Sequence, residues 1–386
     1  MKIFLISIIT KIIFKFTKTF KLGNGYTFSG YLILRLFPDI LKNKCFNYKK
    51  GIILVSGTNG KTTTTKLISD VLKENNYKVV HNSSGSNLLR GIVTTLLLDL
   101  NLFAKPKSDV AVIEIDELNL PLLLTYIEPK ALVLLNLSRD QLDRYGEIDN
   151  ILIRWIDSVK KLSKKTTVIL NSTQPVLLPL KNTSNAPILE FNEFLLKGLH
   201  TNEFYNIPNI NACIKVCELF NIGFDKYKGV INNFENAYGR GEQIKINNTS
   251  FKIYLAKNPA SFNANLQVLN DYKNIDGVCF ILNDNLPDGK DVSWIYDIDN
   301  QLLKTFKDMH NLKDENIYIC GSRCYDMAVR LKSVGYDILN DNVFFEIKKY
   351  IESVNLKDAQ NIVVIPNYSA MLQFRKITLG KDILWN

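Results

Sequence analysis

The chain has 386 residues, enough for two or three domains that each bury a core of their own. Its content of 46% hydrophobic and 22% charged residues is ordinary for a globular protein rather than a disordered one. The net charge of +10 favours acidic partners, which include phosphorylated substrates, anionic membrane surfaces and nucleic acid.

Residues 1–48 are predicted to form an N-terminal helical leader. Lys11, Lys15 and Lys18 recur at helical spacing, and Ile and Phe occupy the other faces. The longest uncharged run, Ile3 to Thr10, is far shorter than the ~20 residues of a membrane span, and no small-residue cleavage site follows it. Two interpretations stay open: a helix packed on the main domain, or an interfacial helix that contacts anionic lipid.

Alternating strands and helices are predicted from residue 51 onwards. The apolar run GIILVSG is a buried strand, and KTTTTKLISDVLKENN after it has apolar residues at helical spacing. Further strands are DVAVIEIDE, ALVLLNLS and TTVILNS. Continuous apolar strands that alternate with helices predict an α/β fold with a parallel sheet covered on both faces. We assign residues 49–243 to this domain.

The pattern weakens and then restarts in the second half of the chain. Residues 172–204 form a weakly patterned insertion, and PNINACIKVCELFNI after it is predicted to be a helix. Beyond residue 243 four more strands alternate with helices: KIYLAK, GVCFILND, ENIYICG and NIVVIPN. We therefore predict a second, smaller α/β domain over residues 244–386.

The stretch GTNGKTTTT (57–65) is predicted to be a phosphate-binding loop. A strand that leads through a Gly-rich turn into a helix presents free backbone N–H groups to an anion, and Gly57 and Gly60 allow the tight turn. Lys61 can neutralise the charge of the β- and γ-phosphates, and Thr62 can ligate Mg²⁺. Carboxylates at the end of the strand VIEIDE are candidate ligands of the same ion: Glu114 first, then Asp116 and Glu117.

The cysteines favour neither a metal site nor disulfides. None of the six forms a C-x-x-C pair, and the three histidines do not complete a zinc site of common spacing. Cys213 and Cys217 are one helical turn apart, and Cys279 and Cys320 lie in apolar, strand-like runs. We predict buried free thiols in a reducing cytosol.

The loop and three later segments resemble the Mur ligase family, which couples amide formation to ATP through an acyl phosphate. GTNGKTTTT resembles the loop of the family's ATPase domain, and NLSRDQLDRYGEID (136–149) is similar to its second magnesium and nucleotide segment. YNIPNINA (205–212) is similar to its adenine-side helix start, and YGRGEQ (238–243) to its Gly-Arg-x-Glu loop. The resemblance implies a Mur-ligase-type ATPase domain with a parallel-rich sheet, followed by a smaller Rossmann-like C-terminal domain.

The resemblance also implies which residues bind ATP and Mg²⁺. Lys61, Glu114 and Arg240 are the expected catalytic residues of this chain, and Thr62 and Glu114 the expected metal ligands. Lys257 or Asn258 positions the acceptor carboxylate, unless these residues only cap a helix or lie in solvent. The expected nucleotide-binding residues are Gly57, Thr58, Asn59, Gly60, Lys61, Thr62, Thr63, Asn206, Asn209 and Arg240.

Within this family the chain resembles the MurT branch. The ATP loop follows after only 50 residues, which leaves no room for a uridine-nucleotide-binding domain. The resemblance is carried by HNSSGSNLLRG, LAKNPASFN, NDNLPDGKDVSWIYDID, GSRCYDMAVRLKSVGYD and VVIPNYSAMLQFRK. It implies a cytoplasmic ligase that amidates the α-carboxyl of D-isoglutamate in lipid II. Ammonia would come from a GatD-type glutamine amidotransferase subunit in a heterodimer, nucleic acid would have no part, and the inner membrane face could be contacted peripherally.

The segment DGKDVSWIYDID carries a separate expectation. In the MurT branch an aspartate of the C-terminal domain is thought to complete the partner's Cys-His glutaminase triad, where an acceptor-only carboxylate orients the histidine. Asp297 is the first choice in this chain, and Asp291 and Asp299 follow. Each of these carboxylates could instead cap a turn or a helix start, Asp291 especially.

The sequence also departs from the branch. Residues 172–204 hold no cysteine where the branch carries a four-cysteine zinc ribbon, so we predict no zinc. Asn171-Ser-Thr-Gln-Pro175 lacks two carboxylates of the family run, and Gln141 and Tyr205 replace family histidines. Two rival functions follow: a Mur- or folylpolyglutamate-type ligase that adds an amino acid directly, and a catalytically inactive nucleotide-binding scaffold.

Overall fold

The computed structural model describes residues 2–20, 25–82, 86–138, 148–192, 194, 196–199, 207–234, 239–270, 272, 274–285, 288–354 and 361–380. They form two compact units. The described residues up to Leu137 and from Ile148 to Phe234 belong to unit 1, and those from Gly239 onward belong to unit 2.

Unit 1 contains a parallel sheet with helices around it. Its strands are β1 (Ile52–Ser56), β2 (Val79–His81), β3 (Val110–Glu114), β4 (Ala131–Leu134), β5 (Thr167–Asn171) and β6 (Ile188–Phe191). Its helices are α1 (Lys2–Thr19), α2 (Gly25–Leu36), α3 (Lys61–Glu74), α4 (Leu89–Leu98), α5 (Asn119–Leu124), α6 (Ile148–Val159), α7 (Leu178–Thr183), α8 (Ile207–Leu219) and α9 (Phe224–Asn232).

The sheet of unit 1 has the order β2-β3-β1-β4-β5-β6, and all neighbouring strands are parallel. Every residue of β1, β3 and β4 is buried, as the continuous apolar runs predict for strands covered on both faces. Val55 of β1 lies beside Glu114 of β3, and Ser56 lies beside Leu134 of β4. The carboxyl ends of these three strands therefore meet at one edge of the sheet, where the Gly-rich loop begins.

Unit 2 contains a mixed sheet. Its strands are β7 (Arg240–Ile246), β8 (Thr249–Tyr254), β9 (Gly277–Ile281), β10 (Ile317–Cys320), β11 (Val343–Phe344) and β12 (Asn361–Pro366). Its helices are α10 (Pro259–Asn270), α11 (Asn300–Met309), α12 (Cys324–Lys332), α13 (Ile347–Val354) and α14 (Tyr368–Leu379). The order is β11-β10-β9-β12-β8-β7, with only the β7–β8 pair antiparallel.

The α/β fold with a parallel-rich first sheet and a second α/β unit is therefore confirmed. Strand β7 crosses the boundary predicted after residue 243 and belongs to unit 2. The 172–204 segment, which we expected to be weakly patterned, contains the edge strand β6 and helix α7. The predicted helix after residue 207 is α8, and it ends at Leu219.

The leader packs on unit 1 through α1, α2 and α4. Ser7 Oγ donates to the carbonyl oxygen of Leu97 at 3.0 Å, and Thr94 Oγ1 donates to that of Tyr26 at 2.8 Å. A Cβ atom on Gly30 would lie 1.8 Å from the carbonyl oxygen of Arg90, so only glycine permits this approach of α2 to α4. The leader is therefore packed on unit 1, and lipid contact by the other face of α1 stays a prediction. Among the described residues, no helix is long and apolar enough to cross a membrane.

The cysteines are free thiols, as predicted. Cys213, Cys217, Cys279, Cys320 and Cys324 are buried, and Cys45 is partly exposed. Burial in apolar surroundings raises the pKa of the Cys45 thiol to about 11, since desolvation disfavours the thiolate. Thiols in such surroundings are inert packing groups.

Candidate nucleotide-binding site

The loop between β1 and α3 requires glycine at two positions. Gly57 and Gly60 have φ angles of 143° and 85°, which side chains with a Cβ atom rarely adopt. A Cβ atom on Gly60 would lie 2.3 Å from Oδ1 of Asn209, and one on Gly57 would lie 3.0 Å from the backbone of Asn136. The predicted tight turn is therefore real, and it is packed against residues that follow β4 and begin α8.

Asn136 holds this loop from the neighbouring strand end. The N–H of Thr58 donates to the Asn136 carbonyl at 3.0 Å, and the N–H of Asn59 donates to Asn136 Oδ1 at 2.8 Å. Asn136 Nδ2 in turn donates to the Asn59 carbonyl at 3.0 Å. The sequence reasoning missed this role, although Asn136 opens the segment that resembles the family and comes directly after a strand beside β1.

Helix α3 starts at Lys61 and points its amino terminus at the loop. Its first intrahelical bond runs from Thr64 N to the Gly60 carbonyl at 2.9 Å. The N–H groups that precede Thr64 therefore have no acceptor within the helix. Thr63 is buried and Thr62 is half-buried. A helix start of this kind is a ready site for phosphate, because its N–H groups and dipole favour an anion.

Lys61 is buried at the base of the loop. Its Nζ donates to the carbonyl oxygens of Gly57 and Thr58, the latter at 3.3 Å, and to Oε2 of Glu117 at 3.0 Å. The side chains of Lys61 and Glu117 are only 9% and 4% exposed. Trp155 Nε1 fixes the backbone of Glu117 by donating to its carbonyl at 2.9 Å. Glu117, which we had considered as a metal ligand, is therefore the ion-pair partner of the loop lysine.

Glu114 ends β3 at the same sheet edge and is 1% exposed. Asn82 fixes its backbone twice: Glu114 N donates to Asn82 Oδ1, and Asn82 Nδ2 donates to the Glu114 carbonyl, both at 2.9 Å. Asp116 instead begins the turn into α5, where Oδ1 accepts from Leu118 N at 3.2 Å and Asn119 Nδ2 at 3.0 Å. Of the three candidate carboxylates, Glu114 fits a metal best.

The oxygen donors here suit a hard cation. A threonine hydroxyl at the helix start and a carboxylate at the neighbouring strand end are the donors that Mg²⁺ takes beside water and phosphate oxygens. Among the described residues, no group of three or more His, Cys, Asp or Glu could hold a metal through protein ligands alone. A cation shared with a nucleotide therefore fits this donor set better than a self-contained metal centre.

Asn209 and Thr64 join helices α8 and α3 behind the loop. Thr64 Oγ1 donates to Asn209 Oδ1 at 3.0 Å, and Asn209 is 5% exposed. The structure brings Asn209 together with the loop glycines; its contact with adenine remains a prediction. Asn206 lies outside the described residues, as do Gln141 and Tyr205. Arg240 begins β7, and nothing is described of its side chain.

Two further expectations concern residues away from the loop. Asn258 Oδ1 accepts from Ser261 N at 2.8 Å at the start of α10, so the helix-capping alternative holds for Asn258. Lys257 N donates to Ser261 Oγ at 3.1 Å in the same turn. Asn171 ends β5, and its Oδ1 accepts from Thr173 N at 3.1 Å, so the altered 171–175 run begins with a local turn.

The three candidate aspartates of unit 2 differ in their contacts. Asp299 Oδ1 caps α11 by accepting from Gln301 N at 2.7 Å and Leu302 N at 3.0 Å. Asp291 Oδ1 accepts from Ser293 N at 2.8 Å in a local turn. Asp297 ends a 3₁₀ turn over Ser293–Asp297 and is exposed.

Buried residues hold that 3₁₀ turn in place. Trp294 and Ile295 are buried on its inner side. Arg330 of α12 donates from Nε to the carbonyl of Ile295 at 2.8 Å, and from Nη2 to the carbonyl of Ile298 at 2.7 Å. The turn is thereby fixed to the core of unit 2, and Asp297 is presented on its outer side.

A parallel α/β sheet whose central strand leads into a short Gly-rich loop and a buried lysine defines a nucleotide-binding class of protein. Two family models match this chain: the Mur ligase middle domain over residues 55–211, and the MurT ligase C-terminal domain over residues 255–371. The chain belongs to the Mur ligase family, and its second half is of the MurT type.

Curated relatives agree along almost the whole chain. The lipid II isoglutaminyl synthase (glutamine-hydrolyzing) subunit MurT of Streptococcus pneumoniae is 26% identical over 94% of this chain and 94% of its own length. That of Staphylococcus aureus is 28% identical over 90% of this chain and 91% of its own. The UDP-N-acetylmuramoylalanine--D-glutamate ligase of Rickettsia prowazekii is 23% identical over 87% and 75%.

Solved structures share the fold. MurF from Acinetobacter baumannii superimposes with a TM-score of 0.65 at 17% identity, over 91% of this chain and 80% of that one. Folylpolyglutamate synthase from Mycobacterium tuberculosis, complexed with ADP and AMPPCP, gives 0.66 at 14% identity, over 92% and 95%. At these identities the likeness establishes the architecture alone.

Proposed function

We propose that this chain is the synthetase subunit of a lipid II isoglutaminyl synthase. It would use ATP to amidate the α-carboxyl of D-isoglutamate in the peptidoglycan precursor. The observation that carries the proposal is the buried lysine of the Gly-rich loop, paired with Glu117, in a chain similar to MurT subunits along its length. The reaction belongs in the cytoplasm, at the inner membrane face that carries the lipid-linked substrate.

Activation is needed because a carboxylate is a poor electrophile. An oxygen of the substrate carboxylate attacks the γ-phosphorus of ATP and forms an acyl phosphate, and ADP leaves. Ammonia then attacks the acyl carbon, phosphate departs with its bonding electrons, and loss of a proton gives the amide. Lys61 and Arg240 would offset charge on the transferred phosphoryl group.

The magnesium ion would be held by Thr62 and Glu114. It would neutralise phosphate charge when it is bound with the nucleotide. Backbone N–H groups of the loop and of the start of α3 would hold the phosphates, and Asn206 and Asn209 would face the adenine. No zinc is part of this proposal.

The ammonia would come from a GatD-type glutaminase subunit in a heterodimer with this chain. The S. pneumoniae relative is a subunit of a glutamine-hydrolysing synthase, which supports a partner of this kind. Asp297 would orient the histidine of the partner's Cys-His pair. Asp297 ends a turn that is fixed to the core of unit 2, which supports it as the first choice; Asp299 is exposed as well and caps a helix.

The proposal is tested with Lys61→Ala in the purified two-subunit complex, supplied with ATP, lipid II and glutamine. We expect amidation to fall at least about 100-fold, because the charge that offsets the phosphoryl group is lost. Lys66→Ala is the matched control, since Lys66 lies on the same helix, where it pairs with Asp70 and lies over the ring of Phe234. Unimpaired amidation in Lys61→Ala would refute the catalytic assignment.

Replacing glutamine with ammonium chloride separates the rival functions. If the wild-type complex amidates lipid II with ammonium, ammonia is the nucleophile, as proposed. ATP consumption that depends on an added amino acid, and not on ammonium or glutamine, would instead establish a ligase that adds the amino acid directly. If the complex hydrolyses no ATP with any acceptor, the chain would be a catalytically inactive nucleotide-binding scaffold.

A further inference from the structure

Helix α1 carries an exposed apolar stripe. Its members are 48–62% exposed, although each is a large apolar side chain: Leu5, Ile9, Ile12, Phe16 and Phe20. They follow one another at intervals of three and four residues, which places them on one face of a helix. Phe20 continues the helical path, since its N–H donates to the carbonyl of Phe16 at 3.0 Å.

The face of α1 that packs on the protein is partly polar. Ser7, Thr10 and Thr17 are buried with 0–2% exposure, together with Ile6. Their hydroxyls are satisfied by carbonyls, as in the bond from Thr10 Oγ1 to the Ile6 carbonyl at 2.7 Å. A surface helix of a globular protein normally buries its apolar residues and exposes its polar ones. Helix α1 instead buries three hydroxyl side chains and leaves five large apolar side chains about half exposed.

Every charged residue that precedes Asp39 in the sequence is basic. Residues 1–38 contain Lys2, Lys11, Lys15, Lys18, Lys21 and Arg35 and no acidic residue. Lys15 is exposed on the face beside the stripe. Lys11 Nζ donates to the carbonyl of Leu100, so that cation is held by the protein. An apolar stripe flanked by lysines is typical of helices that lie in the membrane interface.

We propose that this stripe docks on a bilayer that contains anionic lipid, with α1 lying in the plane of the interface. The helix is not long and apolar enough to span the bilayer, so the contact is peripheral. A two-fold contact between two copies would place the same lysines against each other without a carboxylate to pair them, which disfavours self-association. Docking would hold the chain in the plane where a lipid-linked substrate resides.

The test is flotation of the purified full chain with vesicles of phosphatidylcholine, with and without phosphatidylglycerol. We expect binding to the anionic vesicles, which weakens as salt is raised. Ile12→Glu and Phe16→Glu place a carboxylate in the stripe and should each weaken binding at least about tenfold. Lys15→Gln should weaken binding to anionic vesicles by about fivefold and leave binding to neutral vesicles unchanged.

Phe103→Glu is the matched control. Phe103 is 83% exposed in a turn of the same unit, so the change adds the same charge at an apolar surface position outside the stripe. It should bind vesicles as the wild type does. Ile12 and Phe16 are more than half exposed, so the stripe variants should keep the wild-type melting temperature, which is measured alongside.

Three outcomes would overturn the inference. The wild type fails to bind vesicles of either composition; stripe variants bind as well as Phe103→Glu; or the wild type is a dimer that Ile12→Glu converts to monomers. If a purified glutaminase partner binds the stripe and vesicle binding is lost, the surface would belong to that partner, and the inference would likewise be overturned. The measurement needs neither ATP nor lipid II, so its result is independent of the proposed amidation.

Discussion

The Lys61–Glu117 pair gives the buried lysine of the loop a charge partner in the absence of phosphate. A buried ammonium group carries a large desolvation cost unless a charge partner and hydrogen bonds offset it. Glu117 supplies that charge at 3.0 Å, and the carbonyls of Gly57 and Thr58 supply further acceptors. In the proposed function, a phosphate of the nucleotide would be a second anionic partner for Lys61, as an alternative to Glu117.

Glu117→Gln should therefore destabilise the nucleotide-free chain more than the nucleotide-bound chain. Removing the carboxylate leaves the buried Lys61 charge without its anion, which costs about 3 kcal/mol of unfolding free energy. Bound phosphate would offset that charge again, so the rise in melting temperature on adding MgATP should be larger in the variant than in the wild type.

Thermal unfolding with and without MgATP measures both quantities. Glu128→Gln is a suitable control, because Glu128 lies on the surface of the same unit and accepts from Ser163 Oγ. A variant at Glu117 that loses stability equally with and without MgATP would show that Glu117 has a structural role unrelated to phosphate.

At the scale of elements, long apolar runs were sufficient to predict the central strands. The strands β1, β3, β4, β9, β10 and β12 are buried along almost their whole length, so their sequences show no polar alternation. The edge strands β2, β6 and β11 are mostly half-buried, and no long apolar run marks them in the sequence. Strand β7 is polar because it lies at the sheet edge.

The site was predictable only in part. The loop could be read from GTNGKT because glycines, lysine and helix are contiguous in sequence. The partners of the loop could not be predicted, since Asn136 is 77 residues from Asn59 and Glu117 is 56 residues from Lys61. Only the parallel register of β1 with β3 and β4 brings these strand ends together.

Strand β2 carries a pH-sensitive residue. Burial lowers the pKa of His81 to about 4, with Lys73 and Lys66 adding to the shift and Asp70 opposing it. Because the folded chain disfavours protonation, His81 contributes stability that is present above its ordinary pKa of 6.5 and is lost as the pH falls through about 4. We expect this loss to reach about 3 kcal/mol by pH 4.

His81→Gln cannot titrate and should remove that component of the acid sensitivity. Urea unfolding of the wild type and the variant at pH 7 and pH 4 measures it, since protonation of carboxylates is common to both proteins. The variant should lose less stability between the two pH values. An equal loss in both proteins would show that His81 is hydrated and titrates normally in the folded chain.

At the scale of the whole molecule, each unit presents its functional groups from a parallel-type sheet. In unit 1 the strand ends gather the loop lysine and Glu114. In unit 2 the core fixes an outward 3₁₀ turn through Trp294, Ile295 and Arg330. In the proposed function, activation of the carboxylate and control of the partner's glutaminase fall to different units, and they should be separable by substitution.

Asp297→Asn should separate them. In a two-subunit complex with the glutaminase partner, we expect glutamine hydrolysis to fall about 10³-fold, because an amide in place of the carboxylate no longer holds the histidine tautomer. Amidation of lipid II supplied with ammonium chloride should be unchanged, since the ATP loop is intact. Asp291→Asn and Asp299→Asn keep an oxygen acceptor in the turn and at the helix cap, so both variants should stay about as stable as the wild type and keep glutamine hydrolysis. Full hydrolysis in Asp297→Asn, or its loss in a folded Asp299→Asn complex, would move the assignment to another aspartate.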